Sequence, residues 1–121
     1  MSRRILLVGR PGPRLRALCR MLEAAGHAVE TMSAADAAPA LAREHGPDTL
    51  ILDSTLSDGE VSDLVSLAQR RPRLSEMLWL AAPGGAREPG AVARGSPARR
   101  LDAPLNLEEL RRRLDIEPPT R

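Results

Sequence analysis

Residues 47–53 read Pro-Asp-Thr-Leu-Ile-Leu-Asp. The run Leu50-Ile51-Leu52 is short, unbroken and apolar, the pattern of a strand covered on both faces, as in a parallel sheet. Two other runs repeat it, Ile5-Leu6-Leu7-Val8 and Met77-Leu78-Trp79-Leu80. The second makes Trp79 a core residue. Two more polar segments, Ala28 to Met32 and Arg99 to Leu101, suit the edges of the same sheet.

Helical patterns alternate with these strands. From Pro13 to about Ala25, Leu15, Leu18, Cys19 and Leu22 fall on one helical face. Pro13 suits the first helical position and Gly26 the stop. A second helix is expected over Ala34 to Glu44, with Pro39 kinking or shortening it. A third begins at Ser57-Asp58-Gly59-Glu60, an S-x-x-E cap, and buries Val61, Leu64, Val65 and Ala68. The last starts at Asn106 and turns Leu107, Leu110 and Leu114 inward. Between Pro83 and Pro97 stand four Gly and three Pro, which disfavour a helix where the alternation calls for one. The order predicts an α/β, doubly wound parallel sheet with an eroded fourth helix. Residues 1–116 form one domain and 117–121 a flexible tail.

Composition narrows the function. The 121 residues suit one core. All 18 basic residues are Arg, and Ala, Arg, Gly and Pro make up 56 positions, the bias of a GC-rich genome. The pI of 9.8 therefore reflects Arg chemistry, and a net charge of +2 is a poor basis for nucleic-acid binding. One cysteine, Cys19, excludes an internal disulfide, fits a cytoplasmic setting and reads as core packing. No apolar run reaches signal-peptide or transmembrane length. His27 and His45 are isolated, so a zinc site is not expected. Gly9-Arg10-Pro11-Gly12 is only a fragment of a phosphate loop, and its prolines lack amide donors.

Sites in doubly wound sheets lie at the carboxyl ends of the strands. Those positions here are Gly9 and Arg10, Asp53 and Ser54, Ala81 and Ala82, and Ala103. Asp53 ends a buried strand, placed either as a nucleophile or metal ligand or as a turn or capping residue. RRILLV (residues 3–8), the stretch from Met21 to Asp53 and LDAPLNLEELRRRL (residues 101–114) together resemble the receiver domain of bacterial two-component response regulators. The resemblance covers residues 3–115. It implies a flavodoxin-like, five-stranded sheet of order 2-1-3-4-5, with Asp53 matching the phosphoacceptor.

The resemblance also marks losses. The family's two metal-binding acidic residues are replaced by Gly9 and Arg10. Its Thr or Ser is Ala81, its Lys is Ala103 ahead of Pro104, and its switch aromatic is Arg100. Ser57 stands where a proline usually lies, and the usual Gly aligns with Val61. Phosphoryl transfer depends on positioning and charge neutralisation, much of it from the metal. Gly9, Arg10 and Asp53 sum to no net charge, so Mg²⁺ binding is expected to be weak or absent. Arg10 either pairs with Asp53 where the metal would stand or extends into solvent. Arg99, Arg100, Arg111 and Arg112 form either a solvated face or a partner face for an acidic protein; nucleic acid is disfavoured because no aromatic side chains accompany them.

The resulting expectation is a non-enzymatic pseudo-receiver with no cofactor. It would be a cytoplasmic monomer or weak homodimer that binds another protein, such as a signalling or polarity component, without phosphorylation. The competing reading keeps Asp53 as the acceptor from a histidine kinase or small phosphodonor. An enzyme on the same sheet has no complete motif behind it.

Overall fold

The computed structural model describes residues 3–43, 46–71 and 74–80, and the backbone alone of 98–101. The strands are β1 (Arg4–Val8), β2 (Ala28–Met32), β3 (Thr49–Asp53) and β4 (Glu76–Leu80). They alternate with the helices α1 (Pro13–Ala24), α2 (Ala34–Ala42) and α3 (Asp58–Ala68). The strands are parallel, in the order β2-β1-β3-β4, and the backbone of Ala98–Leu101 (β5) runs parallel beside β4.

Side chains alternate across a strand, and this sorts the apolar runs between two layers. Ile5, Leu7, Ile51, Leu78 and Leu80 pack on Leu15, Leu18 and Leu22 of α1. Leu6, Val8, Leu50, Leu52, Met77 and Trp79 face the other way, onto α2 and α3. Continuous apolar runs are therefore needed, because both faces of the sheet are covered. Strand β2 has one neighbour and is partly exposed along its length, as expected of an edge.

Local chemistry sets the helix ends. Ser57 Oγ accepts from Glu60 N–H at 3.2 Å, and Ser57 N–H donates to Glu60 Oε1 at 2.8 Å, the reciprocal cap expected from the sequence. Gly26 takes φ 96°, which lets its N–H reach Glu23 O and that of His27 reach Leu22 O, closing α1. Pro39 lies inside α2, which is nine residues long and ends at Ala42. The eroded fourth helix, the last helix and the tail lie outside the described residues, as does His45.

Polar anchors fix the amino end of the sheet. The buried Arg3 guanidinium donates from Nη1 to Thr49 Oγ1 at 3.0 Å and lies 3.3 Å from Glu76 Oε1. Arg3 N–H donates to Nδ1 of the buried His27 at 3.0 Å. Asp48 accepts from Arg4 N–H and Thr49 Oγ1–H. These contacts join β1, β3 and β4 at the end opposite the site described next.

Candidate functional site

Parallel pairing sets Val8 beside Leu52 and Asp53 beside Leu80, so the loop after β1 and the loop after β3 meet at one edge. Asp53 lies there with only 1% of its surface exposed. A carboxylate so placed must be neutralised or fully hydrogen-bonded. Both oxygens have partners. Arg14 Nε donates to Oδ1 at 3.0 Å, and Thr55 Oγ1–H donates to Oδ2 at 3.0 Å.

Thr55 also ties the loops together. Its Oγ1 accepts from Arg10 N–H at 3.0 Å, which orients the hydroxyl proton toward Asp53. Its carbonyl accepts from Arg10 Nε at 3.1 Å. Arg10 Nη2 approaches Glu60 Oε1 at 4.0 Å, with 67% of the Arg10 side chain exposed.

Of the two alternatives for Arg10, the pair with Asp53 is not the one seen: the arginine that pairs with Asp53 is Arg14. Arg10 leaves the edge with its backbone N–H directed at Thr55, and its side chain lies along the β3–α3 loop. Arg14 occupies the first turn of α1 and reaches back over the strand ends.

Gly9 completes the enclosure. A Cβ there would lie 3.0 Å from Asp53 Cβ, 3.1 Å from Leu15 Cδ1 and 3.2 Å from Thr55 Oγ1. The absent side chain lets the β1–α1 loop close onto Asp53. An acidic side chain at this position would have to displace these atoms.

A hard dication needs several oxygen ligands that are free to turn toward it. The described edge offers one carboxylate, with both oxygens engaged, beside a guanidinium. This donor set does not fit Mg²⁺. Among the described residues no three His, Cys, Asp or Glu side chains gather into a metal-binding group. Ala81, Ala103, Arg111 and Arg112 lie outside the described residues, and Arg99 and Arg100 are described only by backbone, so the proposed partner face is not seen.

Arg14 and Thr55 were missed in the sequence. Arg14 does carry a signal: the first turn of a helix favours acids, so an arginine there asks for a nearby anion. Thr55 stands two residues after Asp53, close enough for its hydroxyl to bond back.

No family model and no curated protein sequence matches the chain. Solved structures do. The receiver domain of sensor histidine kinase PA1611 from Pseudomonas aeruginosa, solved with magnesium in its active-site cleft, is 21% identical with TM-score 0.71, covering 96% of this chain and 97% of that one. The pseudo-receiver domain of the CikA protein is 25% identical with TM-score 0.69, covering 98% of this chain and 100% of that one. The chemotaxis protein CheY4 of Vibrio cholerae is 20% identical with TM-score 0.68, covering 96% and 98%. The chain has the fold of response-regulator receiver domains.

Proposed function

We propose that this receiver-fold chain is a pseudo-receiver: a non-enzymatic signalling module that binds another protein without aspartyl phosphorylation or Mg²⁺. The observation that carries this reading is the enclosure of Asp53, whose two oxygens are held by Arg14 and Thr55. Attack on a phosphodonor needs a carboxylate oxygen that is free to approach phosphorus, with cationic groups placed against the anionic phosphoryl oxygens. Among the described residues, the cation that reaches Asp53, Arg14, neutralises the nucleophile itself. Four hydrogen bonds also join Arg10, Arg14, Asp53 and Thr55, so the two loops are set by the chain's own side chains.

The finer parts of the reading rest on the sequence. The domain comprises residues 1–116, with a five-stranded sheet, an eroded fourth helix and a tail at 117–121. Arg99, Arg100, Arg111 and Arg112 form the partner face, and Ala81 and Ala103 leave the phosphoryl position without its usual hydroxyl and ammonium. The setting is cytoplasmic and the partner is a signalling or polarity protein. No described helix is long and apolar enough to cross a membrane.

The test is intact-mass analysis after incubation with acetyl phosphate and Mg²⁺, with Asp53→Ala as control and an ordinary receiver alongside. The expected spectrum shows no added phosphate on the wild-type chain under conditions that modify the ordinary receiver. A phosphate adduct that vanishes in Asp53→Ala would overturn the reading and restore Asp53 as an acceptor from a kinase or small phosphodonor.

A further inference from the structure

Helices α2 and α3 lie side by side on one face of the sheet and leave a groove of about 580 Å³ between them. Its floor is apolar, formed by Ala34 and Ala38 of α2 and by Leu64 and Leu67 of α3. Three charges line it, Glu60 and Asp63 toward one end and Arg70, in the turn after α3, toward the other. Glu60 is engaged by the Ser57 cap and lies 4.0 Å from Arg10 Nη2, whereas Asp63 and Arg70 are exposed and have no ion pair among the described residues.

The spacing of these residues is self-complementary. Positions 63, 66 and 67 follow i, i+3, i+4 and share one face of α3, and Arg70 in the turn that follows lines the same groove. Asp63 and Arg70 are seven residues apart, roughly 10 Å along a helix. A two-fold axis perpendicular to α3 makes the same patch meet itself with the helices antiparallel. If that axis crosses between Ser66 and Leu67, Asp63 of each copy meets Arg70 of the other, and the apolar floors cover each other. The small side chains of Ala34 and Ala38 let the two layers approach closely. A partner of different sequence would have to bring this charge order by coincidence, whereas a second copy carries it by symmetry.

We infer that the α2–α3 face binds a second copy of this chain in an antiparallel dimer held by reciprocal Asp63–Arg70 pairs. This inference stands apart from the chemistry of Asp53, and Asp53→Ala is expected to dimerise as the wild type does.

Sedimentation velocity of the full chain at low ionic strength, across micromolar to millimolar concentration, tests it. Wild type is expected to show a monomer–dimer equilibrium that weakens with salt. Asp63→Arg and Arg70→Asp each set like charges together and are expected to weaken the dimer by roughly tenfold or more. An equimolar mixture of the two variants restores the opposite pairing and is expected to recover the dimer. Both positions are exposed, so circular dichroism of each variant should match wild type. A wild-type chain that stays monomeric throughout, or a dimer indifferent to both substitutions and their mixture, would overturn the proposal.

Discussion

Arg14 stands in the first turn of α1, where the helix dipole opposes a cation, yet its Nε reaches the buried Asp53 at 3.0 Å. The pair gains more than the dipole costs because Asp53 is almost wholly removed from water. Arg14→Ala would leave that charge with Thr55 as its partner among the described residues. The Arg14 side chain is 39% exposed, so water enters when it is removed. The expected loss in urea denaturation is about 1–2 kcal/mol, below the cost for a fully enclosed pair. Gly9→Ala acts on the same enclosure by contact. With neighbours at 3.0–3.2 Å from the added methyl group, the expected loss is about 1–3 kcal/mol, read from the same denaturation midpoint. Cys19 gives a pH signature. Burial first, and Glu23 second, push its thiol above the ordinary 9.0. The unfolded chain then releases the thiol proton at lower pH than the folded one. The contribution of Cys19 is thus fully present below pH 9.0 and falls as pH rises above it. Cys19→Ala should flatten that alkaline decline in stability.

At the scale of elements, capping and anchoring carry separable energies. Ser57→Ala removes half of the reciprocal cap on α3 and should cost about 1 kcal/mol, with loss of amide-exchange protection concentrated in the first turn. The amino end of the sheet is held by Arg3, whose guanidinium meets both Thr49 and Glu76 while nearly dry. Glu76→Ala would remove the carboxylate 3.3 Å from this buried cation, and about 3 kcal/mol is expected in chemical denaturation. A double-mutant cycle with Arg3→Met should recover part of that loss, because the buried cation is then gone. Pro39 shows the limit of reading elements by residue type. It removes one amide donor, but α2 keeps its register because Ala37, Ala40 and Leu41 are buried against the sheet.

For the whole molecule, the decisive quantity is coupling to ligands. A site filled to one hundred times its dissociation constant would add about 2.7 kcal/mol to the folded state. Millimolar Mg²⁺ is expected to leave the thermal midpoint unchanged, since the donor set around Asp53 does not fit the ion. A rise in midpoint that Asp53→Ala abolishes would show that the carboxylate can leave Arg14 for a metal.

Much of the architecture was legible in the sequence because its causes are local. Unbroken runs such as Leu50-Ile51-Leu52 can satisfy two covered faces only in the centre of a sheet, and Ser57 with Glu60 closes a cap within four residues. The position of Asp53 at a strand end followed from the same run. The arginine that meets it did not. Arg14 and Asp53 are 39 residues apart, and their meeting depends on the Val8–Leu52 register, on the rotation of α1 over the sheet and on a glycine at position 9. Arg10 is nearer the strand end in sequence, but its backbone bond to Thr55 turns its side chain along the neighbouring loop. Sequence spacing fixes which residues share a face. Only the tertiary structure decides which of two nearby guanidinium groups reaches a buried carboxylate, because a single turn of backbone redirects a side chain of that length.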